Sequence, residues 1–305
     1  MSNVKNQHYV PQFYLKRFAN DKKQIWAFDK MNSKSFPSGP GNLASENYFY
    51  DQKEIDEAFG EKFMEKSLDA IEGKFAPFLT KLLDDILDDK VSSINIETKN
   101  QLCEYLSIQI LRTKEHRQHM LQLFNVMEEG LIKKSWLTQE QAKNMGFQMD
   151  LEKAKLFQIK QLMGDNGLKS ALCDSLQKHI CLIYKNATDM PFYTSDHPVS
   201  KRANIISPVR SFGGWASEGI EIAFPLSPRA TLILCDRTYF HQLEHLENQV
   251  LELQDTQNVI YYNSLQVNDS YRFIYSSSRD FALAEEMVIA HKDLGNPDRQ
   301  RTEVG

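Results

Sequence analysis

"HICLIYK", residues 179–185, is where the chain changes character. A long stretch of helical periodicity ends there, and a series of short β-branched or aromatic runs begins. "PFYTSD", "GIEIAFPLS", "ATLILCD", "NVIYYNSLQ" and "YRFIYSSS" follow, each bounded by Gly, Pro, Asp or Ser, and all read as strands. "FHQLEHLENQVLEL" reads as a helical patch among them. Upstream, residues 56–163 are nearly free of proline, and Phe63, Leu68, Ile71, Phe75, Phe78, Leu79, Leu82 and Leu83 share one helical face. "NIET" then caps a long central helix whose apolar stripe runs through Leu102, Leu106 and Ile110 to Leu121 and Phe124. The "TQEQ" capping box opens at least one more helix between 138 and 162.

Helices followed by strands predict an α+β fold, because a doubly wound parallel sheet needs strict alternation. The expectation is a single domain over residues 1–305, with a helical region about 56–165 and a strand-rich, mostly antiparallel region about 171–290. A mixed segment precedes them. Residues 8–51 predict a helical turn, a strand or hairpin, and loops, with Pro37, Gly39, Pro40 and Gly41 forbidding regular structure. The polar stretch from Lys292 onward is expected to fray.

Composition narrows the function classes. Hydrophobic residues at 41% and charged residues at 25% describe a packed globular chain. A net charge of -5 argues against a surface coated for nucleic acid, while leaving room for a local basic groove. Cys103, Cys173, Cys181 and Cys235 form no C-x-x-C pair and read as reduced, buried thiols, not zinc ligands. With no signal-peptide pattern and no apolar run long enough for a membrane span, a cytoplasmic protein is expected. P-loop, Rossmann, H-E-x-x-H and EF-hand signatures are missing. A divalent metal is compatible with the composition, but no ligand motif is evident.

Four constellations carry possible chemistry. In "NQHYVPQFYLKRFA", residues 6–19, Pro11 leads a short helix with Phe13, Tyr14 and Phe18 on its apolar face. His8 and Tyr9 stand before that helix. The plainer account makes His8 part of the entry into the fold; the functional one uses an imidazole suited to proton transfer near neutrality. On the central helix, Gln109, Arg112 and His116 fall on one face and can together grip a phosphate or carboxylate. The alternative pairs Arg112 with a buried carboxylate and leaves His116 and Arg117 on a solvated face. In "PFYTSDHPVSK", Asp196 can orient a histidine, take a proton or hold a metal, or else Ser195 and Asp196 simply make the turn that Pro198 completes. Ser195 lacks the G-x-S-x-G context of a hydrolase nucleophile. Weaker signals are Arg229, after a turn bracketed by Pro225 and Pro228, Asn263 behind an aromatic run, and Arg272 in a strand.

Taken in order, "HYVPQFYLKRF", "IQILRT", "YTSDHPV", "FPLSPR", the Asn263 segment and "RFIYSSS" resemble the bacterial domain-of-unknown-function 4238 family over residues 6–278. His197 departs from the family pattern, which has asparagine there, and this argues against a direct catalytic role for it. The resemblance supplies no reaction. It implies a single bacterial intracellular domain whose His8, Gln109, Arg112, Asp196, Arg229 and Asn263 converge on one site.

The resulting expectation is a hydrolase, nuclease-like, acting on a phosphate-containing substrate such as a nucleotide or nucleic acid. His8 would be the general acid or base, Asp196 its orienting group or a metal ligand, and Tyr9, Gln109, Arg112, Arg229 and Asn263 the substrate-binding residues. The alternative is a non-enzymatic sensor or binding module for an anionic ligand or nucleic acid. A third account keeps the polar residues as buried structural pairs. No membrane partner is expected, and the sequence does not set the oligomeric state.

Overall fold

The computed structural model describes residues 6–145, 147–164, 167–207 and 209–301. Strand β1 (Asn6–His8) leads through Pro11 into α1 (Gln12–Leu15), whose next turn, Lys16–Phe18, is a tighter 3-10 helix. Hairpin β2 (Ile25–Asp29) and β3 (Lys34–Ser38) follows, then β4 (Ser45–Asn47), which pairs antiparallel with β1. Pro37 lies inside β3. It is tolerated because β3 is an edge strand, where a missing N–H breaks no ladder.

The helical region comprises α2 (Lys53–Phe59), α3 (Phe63–Leu87), α4 (Ile96–Arg112), α5 (Lys114–Lys133), α6 (Gln139–Asn144), α7 (Leu151–Met163) and α8 (Leu168–Gln177). Asn95 caps α4 by accepting the Thr98 N–H at 2.8 Å, and Thr138 with Gln141 forms the expected capping box of α6. The central helix is not continuous. Thr113 leaves the helical conformation (φ −79°, ψ 160°), ends α4 and caps α5 through its own side chain. No glycine or proline marks this break.

The strands after residue 179 are β5 (Ile180–Asn186), β6 (Thr194–Ser195), β7 (Ser200–Ala203), β8 (Ile220–Ser227), β9 (Ala230–Cys235), β10 (Val250–Leu253) and β11 (Phe273–Ser276). Five of them form a sheet in the order β10-β5-β9-β8-β7, antiparallel except for the β10–β5 pair. Alternate residues of β5 serve opposite layers. Cys181 and Ile183 pack with Leu102 and Leu106 of α4, while Ile180 and Leu182 pack with Val259 and Leu265 behind the sheet. Burial on both faces explains why "HICLIYK" and "ATLILCD" read as unbroken apolar runs. A second sheet, β3-β2-β11-β6, joins the N-terminal hairpin to the late strands, and α10 (Ala282–Ala290) packs beside it. The α+β class therefore holds.

Several local expectations are corrected. "NVIYYNSLQ" is no strand but the body of helix α9 (Thr256–Asp269), which buries Val259, Tyr262, Asn263, Leu265, Gln266 and Val267. The patch "FHQLEHLENQVLEL" is a 3-10 turn at His241–Leu246 followed by β10. Pro225 does not bracket a turn; it lies within β8 where the register with β9 shifts. Residues 297–301 are docked, not frayed. Arg301 donates to Glu115 at 2.6 and 2.9 Å and Arg299 reaches the same carboxylate at 3.5 Å. Among the described residues no helix is long and apolar enough to cross a membrane.

Candidate functional site

Residues from the six motifs do meet, though chiefly through backbone atoms. Arg112 ends α4 fully buried, and its Nη2 donates to the backbone carbonyl of His8 at 2.7 Å and to Glu72 Oε1 at 3.0 Å. One turn earlier, Gln109 Nε2 donates to the Tyr9 carbonyl at 3.3 Å. The two residues thus grip consecutive carbonyls of the N-terminal segment. His8 itself donates from Nε2 to the Gly41 carbonyl at 3.1 Å and receives the Gln12 amide on Nδ1 at 3.4 Å, the tautomer those partners require. Burial lowers its pKa, leaving the ring neutral near pH 7. His8, Arg112, Gln12, Glu65, Asp69 and Glu72 face a small cavity of about 170 Å³.

Asp196 is elsewhere in the network and saturated. Its carboxylate accepts the backbone N–H groups of Tyr271, Arg272 and Phe273, each at 2.8 Å, so it caps the start of β11. Burial raises its carboxyl to about 6, and the Phe273 and Arg272 N–H groups and the nearby Lys30 offset that rise only in part. Asn263 accepts the Tyr193 N–H at 2.7 Å and donates to the Pro191 carbonyl at 3.0 Å, clamping the strand that leads to Asp196. Gln266, one turn on, takes the Ser195 hydroxyl at 2.8 Å and donates to the Pro198 carbonyl at 2.8 Å. Thr194 meets Tyr14, whose hydroxyl donates to the Pro225 carbonyl, both at 2.7 Å. Arg229 is exposed in the β8–β9 turn and bonds the Thr188 carbonyl. It does not line the cavity of His8 and Arg112, and neither do Asp196 and Asn263.

The break at Thr113 separates the residues expected to act together. Gln109 and Arg112 serve the N-terminal segment, whereas His116, just beyond the break, lines a different and larger cleft of about 670 Å³. Nor do His116 and Arg117 occupy a solvated face: Arg117 is buried over the Phe49 ring, 3.6 Å from its centroid, and donates to Gln158 at 2.7 Å.

The larger cleft lies between the first turns of α5 and the elements that follow β6. His116, His119, His197, Lys201, Asp269 and Trp215 line it. Thr113 Oγ1 ties two of these together, lying 2.7 Å from His197 Nδ1 and accepting the His116 N–H at 3.3 Å. His116 Nε2 meets the Gln161 side-chain carbonyl at 2.8 Å and therefore carries its proton there. Burial drives His116 down to about 4 and His197 down to about 3, and lowers His119 as well, so all three rings are neutral at pH 7. Lys201 Nζ donates to the Gly213 carbonyl and stands 4.4 Å over the Trp215 ring, and neither partner is a carboxylate. Asp269 instead accepts the Lys201 backbone N–H at 2.8 Å, and burial lifts its carboxyl to about 6. Glu115 on the same wall is neutralised by Arg299 and Arg301. Groups of this kind, gathered in a cleft with shifted protonation, are what proton transfer and anion binding require. Among the described residues no three or more His, Cys, Asp or Glu side chains are arranged to hold a metal ion.

His119, Lys201, Asp269 and Trp215 were missed in the sequence. Two signals could have found part of this set: "RTKEHRQHM" spaces His116 and His119 on one helical face, and Lys201 ends the "YTSDHPVSK" run. His197, set aside as a departure from a pattern, lines the cleft. No curated protein and no solved structure matches the chain. A family described as a protein of unknown function, DUF4238, matches residues 6–280, which take in every motif above, and the chain belongs to that family.

Proposed function

We propose that the larger cleft binds a phosphate-containing ligand, of nucleotide type, and that a histidine there activates the water that hydrolyses it. One observation carries the reading: Lys201 lines the larger of the two cavities with a carbonyl and an aromatic ring, not a carboxylate, as the partners of its ammonium. A partly buried cation so placed is stabilised by an incoming anion. Trp215, beside it, offers a face on which a base can stack. His119, on the same wall, is the imidazole assigned to take a proton from an attacking water, since burial holds His116 near 4 and His197 near 3, too low for a base at pH 7. His8 and Asp196 take no part in this reading, because the polar atoms of His8 are occupied by the Gly41 carbonyl and the Gln12 amide, and those of Asp196 by backbone N–H groups.

Calorimetry with nucleoside monophosphates and inorganic phosphate, paired with an assay on a chromogenic phosphodiester, tests it. Lys201→Gln is expected to weaken binding by about tenfold or more. His119→Gln is expected to leave binding in place and abolish turnover. Unchanged binding by Lys201→Gln overturns the reading, and tight binding without turnover in the unaltered protein favours a binding module.

A further inference from the structure

The small cavity beside His8 has a different chemistry from the cleft. Glu65, Asp69 and Glu72 of α3 recur at i, i+4 and i+7 and present carboxylates on one helical face. Opposite them stands Arg112, 1% exposed, with Nη2 spent on His8 and Glu72 but with Nε and Nη1 lacking any hydrogen-bond partner. Glu65 Oε2 is likewise buried and without a partner. Buried donors and acceptors are normally satisfied, so unused nitrogens and an unused carboxylate oxygen on the wall of one cavity call for a guest.

The guest's chemistry follows from the wall. Two guanidinium nitrogens want an oxygen acceptor, and Glu65 and Asp69, one helical turn apart, want a cation. With Arg112 already paired to Glu72, the remaining charge is negative, which disfavours a phosphate dianion. A bare metal ion fits poorly, since among the described residues no set of carboxylates and imidazoles is arranged to hold one. At about 170 Å³ the space suits a molecule of benzene-like size or a little larger. We infer that this cavity binds an α-ammonium group with its neighbouring carboxyl or carbonyl oxygen. The ammonium lies between Glu65 and Asp69, and the oxygen accepts from one of the two unpartnered Arg112 donors, Nε or Nη1. A free amino acid and the amino end of a peptide share that chemistry.

The site stands apart from the phosphate cleft, and its test separates the two. Calorimetry on the full chain uses four probes at millimolar concentration: a small amino acid, a dipeptide, the matching amine without its carboxyl, and the matching acid without its amine. The amino acid or the dipeptide is expected to bind, the tighter of the two naming the source, with the amine and the acid each weaker by about tenfold or more. Glu65→Gln and Asp69→Asn are expected to weaken binding similarly while the thermal midpoint stays put. Lys201→Gln is expected to have no effect on this binding. The inference is overturned if neither amino acid nor dipeptide binds the folded chain, if the amine binds as well as the amino acid, or if both carboxylate variants bind normally.

Discussion

Arg112 meets His8 at its carbonyl oxygen, 2.7 Å away, and not at its imidazole, which is held by Gly41 and Gln12. The guanidinium thus anchors the chain where it enters α1. Replacing it by alanine leaves the His8 carbonyl and Glu72 without their partner. Arg112→Ala is expected to destabilise the protein by about 3–5 kcal/mol. His8→Gln, which keeps the carbonyl, is expected to cost roughly 1 kcal/mol or less. Urea denaturation of the two variants checks this, and equal losses would mean that the ring, not the carbonyl, matters.

Asp196, Asn263 and Arg229, grouped by residue type in the sequence, are expected to part company when substituted. Asp196→Ala strands three backbone N–H groups at the start of β11 and should cost about 3 kcal/mol. Asn263→Ala strands the Tyr193 N–H and the Pro191 carbonyl, for roughly 2–4 kcal/mol. Arg229→Ala, at an exposed turn, should stay within about 0.5 kcal/mol. Thermal melts rank them, and a costly Arg229→Ala would contradict the assignment.

The α+β class was readable because it rests on periodicity, which burial dictates over many residues. Helix α9 was hidden by composition: Val259, Ile260, Tyr261 and Tyr262 favour strands locally, and only packing of Val259, Tyr262 and Leu265 against the sheet overrides them. The break at Thr113 carries neither glycine nor proline; the side chain that caps α5 there also meets His197, a partner 84 residues away. Asp196 looked catalytic because its partners are backbone N–H groups 75 to 77 residues away, and such groups have no signature in side-chain identity. The cleft escaped notice for a related reason, its walls coming from the first turns of α5, the segment after β6, and the docked residues near 300.

Acid is expected to unfold the protein early. The folded pKa of His116 lies near 4 and that of His197 near 3, both below the ordinary value of 6.5, so the unfolded chain takes up these protons first. Their contribution is complete above pH 6.5 and is lost as pH falls, at up to about 1.4 kcal/mol per pH unit for each ring. Asp269 acts oppositely: its folded carboxyl at about 6 binds a proton before the unfolded one does, giving back part of the loss. His197→Asn keeps a polar partner for Thr113 and should flatten the decline between about pH 6.5 and pH 4. Denaturant midpoints across that range decide, and an unchanged slope would show that His197 does not hold off its proton.

Glu115 should govern whether residues 297–301 stay docked, since it binds both Arg299 and Arg301. Glu115→Ala is expected to speed tryptic cleavage after those arginines several-fold while the rest of the chain stays resistant. Equal cleavage rates would locate the anchor elsewhere, with Gln122 as the next candidate through its bonds to Arg299 and Arg301.

Tyr14 reaches across 180 residues to Thr194 and 211 to Pro225. A ribosome adding about 5–20 residues per second needs roughly 10–40 s to make the second partner after the first has emerged. Through that interval the Tyr14 ring lacks Phe224, its stacking partner 5.1 Å away, and its hydroxyl lacks its partners. The Tyr14 side of the core therefore closes late in synthesis, when β8 supplies the Pro225 carbonyl and the Phe224 ring.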